Sequence, residues 1–389
     1  MSKYLGVLNF EPSYVDVAGL GDYRPISATS ILGRYRVVDF MMSNFTNSGI
    51  DRIKVHIKNR PRSLVEHISN TSYNINSKKG KIHMLHGEDQ FNNEFYNNDL
   101  RAFKTYMEFY DVENPSYIII APSHFIFKQD FSQIIDHHIN SKNDITILYQ
   151  SVKNADEEFL MCDALNIDDK GRIVEFHKNR GTSKRNNISL ETYVMDFVTF
   201  KQLVQEGCET SSLYSLSDIV SDCVRAMKIG AYQHHGYCAC ISTLKAYYAA
   251  NMTIRKQKEL TSLINEEWPI YTMTNDSCPT LYEKSAKVQG SVVANGCQIE
   301  GTVINSVIGR NVVIKSGAVI KDSIVLPDTF IDKNVKLDCA IVDRLAIVTH
   351  VKDLTGTKDN PIYINRGDRI WEKFYLHLLN HFHLSKLVV

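Results

Sequence analysis

The chain has 389 residues, enough for two domains of ordinary size. Lys plus Arg and Asp plus Glu number 44 each, so the formal net charge is zero, which excludes a general polyanion binder but leaves room for a local phosphate site. Hydrophobic content of 43% with 23% charged residues excludes a wholly disordered chain.

The N-terminus, MSKYLGVLNFEPSY, is a short apolar stretch broken by Asn9 and Glu11; it reads as a buried first strand rather than a secretory signal. No apolar run approaches the ~20 residues of a membrane helix. Over the first 250 residues short apolar runs alternate with amphipathic ones. Strands are predicted at Tyr4–Leu8, Arg52–Ile57, Ser116–Ile120, Asp144–Gln150, Ile173–Phe176, Tyr193–Phe197 and Ala231–His235. Helices are predicted between them at Phe40–Ser48, Ser63–Ser69, Leu100–Tyr110, Phe131–Asn140, Thr199–Glu206, Asp218–Met227 and Leu244–Met252. Such alternation implies a largely parallel sheet covered on both faces, with a ligand at the carboxyl ends of its strands. Residues 254–284 read as a connector, with the domain boundary at 275/276.

The pattern then changes. Val307, Val313, Val319, Val325, Ile331 and Leu337 recur at a spacing of six, with Ile308, Ile314, Ile320 and Leu326 beside them. Neither a helix nor an ordinary strand repeats every six residues. A parallel β-helix does, with one short strand and a turn per step and three steps to a coil. This domain is expected over 276–355, the repeated β-branched residue stacking inside. Residues 356–389 are expected to form a partly helical tail. There Trp371, Phe374, Tyr375, Leu378, Leu379 and Phe382 lie at helical spacing, and His377, His381 and His383 lack a further ligand for a metal. The eight cysteines include no CxxC pair; Cys238 and Cys240 form a lone C-x-C. They are expected to be reduced thiols in a cytoplasmic protein.

Two segments are specific. Residues 34–50, RYRVVDFMMSNFTNSGI, resemble the YRLIDxxLSNxxNSGI signature of the bacterial glucose-1-phosphate adenylyltransferases (ADP-glucose pyrophosphorylases). Residues 236–252, GYCACISTLKAYYAANM, are similar to that family's GYWxDVGTxxAYxxANM. The resemblance covers about residues 1–350. It implies a Rossmann-like, GT-A-like α/β nucleotidyltransferase domain with a mixed sheet (1–275), followed by a left-handed parallel β-helix of hexapeptide repeats. It also implies a reaction, ATP plus glucose 1-phosphate giving ADP-glucose and pyrophosphate in glycogen biosynthesis. That reaction needs a glycine-rich turn for the triphosphate, cationic side chains on the phosphates, and carboxylates for Mg²⁺.

This sequence departs from the family's pattern at one chemical position after another. Counted back from Arg24 without gaps, LAGGxGTRL falls on NFEPSYVDV: its glycines become Glu11, Pro12 and Tyr14, and its arginine Asp16. A nearby glycine pair, Gly19 and Gly21, offers a substitute turn if an insertion is allowed. RAKPAV reads RPISAT, keeping Arg24 but placing Ile26 at the lysine. The metal aspartates of GDHxY and GYWxDVGT become Ser123 and Cys240, neither a ligand Mg²⁺ accepts in place of a carboxylate. FxEKP is read on IVEFH, keeping Glu175 but placing Phe176 at the lysine, with Lys178 facing the same side of the strand as Phe176. SMGIY reads SLETY, keeping Tyr193 and replacing glycine by Glu191. What survives is packing: Tyr35, Asp39, Ser43, Asn44, Asn47, Gly49, Tyr247 and Asn251.

Fold kept and chemistry removed resembles the GlgD-type, catalytically degenerate regulatory subunits of this family. The expected role is to modulate an active homologous subunit, with which the chain would form a heterotetramer, in response to sugar-phosphate or nucleotide effectors. No tightly bound cofactor, catalytic residue or metal site is expected, and neither nucleic acid nor membrane is a partner. Glu175 and Tyr193 are candidates for a vestigial substrate site. Arg24, Arg34 and Arg36 are candidates for binding phosphate or an effector. An active nucleotidyltransferase is the alternative; it would use Mg²⁺ and would need Glu175, Asp39 or another carboxylate to take over the metal. A hexapeptide acyltransferase is more distant, because no histidine occurs between Val288 and Val348 to serve as a base.

Overall fold

The computed structural model describes residues 3–75, 80–86, 98–349 and 353–370. The front domain is built on a nine-stranded sheet. Along its main path the strands run Ile173–Lys178, Asp163–Ile167, Asn186–Asp196, Tyr117–Pro122, Tyr4–Asn9, Arg52–Ile57 and Lys81–His86. Ile145–Val152 and then Ile229–Gln233 add beside Asn186–Asp196. Tyr4–Asn9 is parallel to both neighbours, as an alternation of strand and helix requires. Asn186–Asp196 is antiparallel to Tyr117–Pro122 and Ile145–Val152, so the sheet is mixed rather than largely parallel. A tight turn at Asp168–Arg172 supplies the antiparallel hairpin at one edge. The Asp168 carboxylate accepts from the Lys170 and Arg172 amides, and Gly171 takes the left-handed conformation.

Helices Val37–Asn47 and Phe131–Ser141 cover one face of the sheet, with Phe45 against Phe131. Asp99–Thr105 and Phe197–Thr210 cover the other through Phe103 and Phe200. The signature segment is scaffold. Asp39 caps its own helix by accepting from the Arg36 amide (2.8 Å). Asn44 donates to the Phe127 carbonyl, Ser43 accepts from the Tyr271 amide, and Asn47 donates to the Pro269 carbonyl. Asn251 accepts from the Leu32 amide and Tyr247 donates to the Ser30 carbonyl. These side chains pin non-helical backbone that would otherwise be buried without partners.

From Leu281 the chain forms coils of three short parallel strands, building three sheets, consistent with a left-handed β-helix. Val307 pairs with Ile324 and Ile308 with Val325, so a full coil there is 17 residues, not the 18 that three strict steps of six give. One corner is a residue short, at Asp322, which adopts a left-handed backbone. Successive strand side chains point to opposite faces, so the missing residue switches the row that faces inward. The interior stacks Ile308, Ile314 and Ile320, then Val325, Ile331 and Leu337. The expected inward placing of Val307, Val313 and Val319 is therefore corrected: they face out. Val307, Ile324 and Ile341 form a second row, at most 1% exposed, that packs against the front domain's Tyr247 and Tyr248. Coil pairing also runs past 355, where the sequence suggested a tail. Ile362–Ile364 pairs with Ala340–Val342, and Arg369–Ile370 with Ile347–Val348. Residues 371–389, with the tail aromatics and histidines, lie outside the described residues.

The two domains share a buried junction. Arg24 forms an ion pair with Asp343 of the β-helix, at 6% and 0% side-chain exposure. Gly33 approaches the same surface with φ +67, and a Cβ there would lie 2.5 Å from the Ile308 carbonyl oxygen. Gly33→Ala is expected to destabilise the chain by about 1–2 kcal/mol from the left-handed backbone alone, with the clash in addition. Thermal unfolding checks this, and an unchanged midpoint would mean the junction is looser than described.

Candidate functional site

A cavity of about 470 Å³ opens at the carboxyl ends of Tyr4–Asn9 and Tyr117–Pro122. This is where an α/β sheet places a ligand, because several strand ends and their loops converge there. Its walls include Phe10, Glu11, Pro12, Ser13 and Tyr14, the segment that replaces the glycine loop, together with Lys178, Glu191 and Tyr193. Five carboxyl groups line it (Glu11, Asp99, Asp163, Glu191 and Asp218) against two lysines, Lys58 and Lys178. Lys178 is already paired with Asp163 at 2.7 Å. Carboxyl groups thus outnumber cationic side chains around this cavity.

The departures meet in one cluster. Tyr14 donates to Glu191 Oε1 at 2.6 Å, and its hydroxyl lies 3.1 Å from His124 Nε2 and 3.6 Å from Cys162 Sγ. Cys162 Sγ is 3.8 Å from Cys240 Sγ. Burial pushes the Cys240 thiol well up and the His124 imidazolium down to about 3, so thiol and ring stay neutral. Burial raises the Glu191 carboxyl to about 7, against the opposing hydrogen bond from Tyr14. Glu191 also holds a left-handed backbone, φ +47, as glycine would at that turn. Two residues that replace glycines, Tyr14 and Glu191, thus fill the opened space and bond to each other. Ser123 is buried beside this cluster, and burial also raises the Glu11 carboxyl.

Among the described residues no group of three His, Cys, Asp or Glu side chains could hold a metal ion. Ser123 and Cys240 do not fit Mg²⁺, which needs hard, ionised oxygen. All eight cysteines are free. No helix of the described residues is long and apolar enough to cross a membrane.

Tyr193 lines the cavity and is 3% exposed. Glu175 does not line it; it is exposed at the sheet edge and accepts from Asn166 at 2.6 Å. Matching Phe176 to the phenylalanine of FxEKP accounts for this, since Lys178 and Asn179 then take the glutamate and lysine positions. Asn179 is buried, and its amide donates to the carbonyls of Ala155, Glu158 and Phe159. Asn179 thus clamps a loop. The glycine pair does not line this cavity; Gly19 packs against the Tyr363 ring of the β-helix, which a side chain there would run into.

Arg24, Arg34 and Arg36 come together elsewhere, around a cavity of about 140 Å³ at the domain junction. The sequence reading missed three further basic residues in its walls, His67, Arg310 and Arg344. The last two are two 17-residue coils apart and lie on one corner of the β-helix, so only the true coil length reveals that they align. Arg36 donates to the Ala28 carbonyl, and Arg344 pairs with Asp328 at 2.9 Å. Burial, reinforced by Arg344 and Arg24, lowers Arg36 to about 10. Five guanidiniums surround this small space.

The nucleotidyl transferase family matches residues 23–257, and the GlmU-like C-terminal hexapeptide family matches residues 279–356. The glucose-1-phosphate adenylyltransferase of Clostridioides difficile (strain 630) is 31% identical over 297 residues, covering 74% of this chain and 75% of its own. That of Lachnospira eligens is 30% identical over 296 residues, covering 74% and 68%. That of Bacillus subtilis (strain 168) is 26% identical over 305 residues, covering 77% and 79%. The chain belongs to the glucose-1-phosphate adenylyltransferase family of nucleotidyl transferases.

Proposed function

We propose that this chain is a regulatory subunit of glucose-1-phosphate adenylyltransferase with little or no catalysis of its own, acting on an active homologue in a hetero-oligomer, as a heterotetramer. The observation that carries the reading is the cluster Tyr14–Glu191–His124–Cys162–Cys240. It puts neutral or weakly acidic side chains where the reaction needs backbone amides for a triphosphate and two ionised carboxylates. An active enzyme with a rearranged metal site is less well supported, because Glu175 faces away from the cavity. In this reading the junction cavity lined by Arg24, Arg34 and Arg36 is the effector site. It takes a phosphate-bearing metabolite, and its walls come from both domains, so an occupant restrains one domain against the other.

The test is pyrophosphate release from ATP, Mg²⁺ and glucose 1-phosphate, measured for this chain alone, the active homologue alone, and the two co-assembled. No turnover alone, with altered kinetics in the mixture, is expected. Turnover by this chain alone at a rate comparable with the homologue's would overturn the reading.

A further inference from the structure

His67 stands apart from the arginines of the junction cavity. It is 2% exposed, on the helix Arg62–Ser69, and its Nε2 lies 2.6 Å from Asp39 Oδ1. Asp39 also accepts from the Arg36 amide and, at 3.4 Å, from the Tyr73 hydroxyl. With Asp39 as acceptor, Nε2 carries the hydrogen. The other ring nitrogen, Nδ1, is buried without a hydrogen-bond partner, and His67 lines the cavity. Arg344 also lines the cavity, and its Nε is buried and unpartnered as well. Two unpartnered nitrogens on residues that line a cationic cavity are what an oxyanion would satisfy.

The protonation state of His67 decides what that oxyanion meets. In the neutral ring, Nδ1 presents a lone pair, which repels an anion oxygen. In the imidazolium both nitrogens donate, and Asp39 supports the charge. We propose that His67 binds the anion as an imidazolium, Nε2–H on Asp39 and Nδ1–H on an anion oxygen, so that each oxyanion bound takes up as much as one proton from solvent. This rests on the reading of the junction cavity as an anion site.

The other charged groups around His67 are Asp39 and Tyr73 on its Nε2 side, Glu66 on its own helix, and Arg24, Arg34, Arg36, Arg310, Arg344 and Asp328 across the cavity. The arginines keep their charge near neutrality. Burial and the nearby Asp39 push the Tyr73 phenol well up, away from this range. An imidazole changes charge between pH 5 and 8, which makes His67 the group that couples binding to protons here.

Sulfate is the probe, because it neither gains nor loses a proton in this range. Its binding to the full chain is measured by titration calorimetry between pH 6 and 8.5, in buffers of different ionisation enthalpy. The expected affinity falls by up to about tenfold per pH unit toward the alkaline end, with proton uptake approaching one per sulfate. His67→Gln keeps a donor for Asp39 and is expected to bind sulfate with neither uptake nor pH slope. Sulfate binding with pH-independent affinity and no uptake by the unmodified chain would overturn the role of His67 and leave the anion site standing. Uptake that persists in His67→Gln would overturn it equally. No sulfate binding at any pH would overturn the anion site itself. If His67→Gln does not fold, His67→Asn, which also keeps a side-chain amide donor, takes its place.

Discussion

Asp343→Asn is expected to destabilise the chain by about 3–5 kcal/mol, the scale for removing one partner of a buried ion pair. The Asp343 side chain is fully buried. It accepts from Arg24, from the Tyr363 hydroxyl at 2.8 Å and from the Arg344 amide at 2.6 Å. Asparagine fits the same space but leaves the Arg24 guanidinium, 6% exposed, without a countercharge in a region already crowded with arginines. The desolvation cost of that cation is then uncompensated. Replacing both partners by apolar residues of similar size, Arg24→Met with Asp343→Leu, is expected to recover much of the loss, because neither charge then has to be buried. Denaturant unfolding of the two variants measures this. A loss below about 1 kcal/mol for Asp343→Asn would be the behaviour of a solvated surface pair and would contradict the closed junction.

The second large effect is a pH dependence set by Glu191. Its folded-state carboxyl titrates at about 7, raised by burial from an ordinary value of 4.5. Between those values the unfolded chain releases the proton and the folded chain keeps it. Stability is therefore greatest below pH 4.5 as far as this group is concerned, falls as the pH rises to 7, and stays at the lower level above. The span corresponds to roughly 3 kcal/mol, less some solvent screening because the side chain is 17% exposed. Glu191→Gln keeps an acceptor for the Tyr14 hydroxyl and is expected to abolish this slope, making the variant more stable than the parent at pH 8. Tyr14→Phe removes the hydrogen bond that favours the ionised form, so the midpoint of the slope should move upward. Stability measured from pH 5 to 8 on the three proteins checks this. Parallel curves for the parent and Glu191→Gln would show that Glu191 titrates freely, and that the Tyr14–Glu191 cluster is not closed to solvent.

Much of the fold was legible because its periodicities are local. The strand Arg52–Ile57 and the helix Leu244–Ile254 announce themselves by apolar spacing within one window. Asp163–Ile167 and Cys238–Cys240 escaped, being too short and too mixed in composition to show alternation; each is held by its neighbour in the sheet. The repeat of six was legible, but the one-residue shortening at Asp322 was not, because the row at strict spacing and the row inside share residue types. At the strand-end cavity the sequence showed each departure from the family's pattern separately. That Tyr14 and Glu191 bond across 177 positions depends on tertiary contact. At the junction Arg24, Arg34 and Arg36 stood out as a local basic cluster, whereas His67, Arg310 and Arg344 join them only through folding.

The outward row Val307, Ile324 and Ile341 has a consequence for how such a chain tolerates gain or loss of repeats. The β-helix interior accepts any whole coil, since each coil contacts only its neighbours. The front domain is less permissive, because it reads three successive rungs at fixed height, with Gly33 seated on Ile308 and Arg24 on Asp343. Duplicating or deleting 17 residues between 307 and 343 would preserve the interior stack yet displace Asp343 by one rung, about 4.8 Å, out of reach of Arg24. Changes in coil number are compatible with this architecture at the far ends of the β-helix, while the rungs against the front domain act as a fixed ruler.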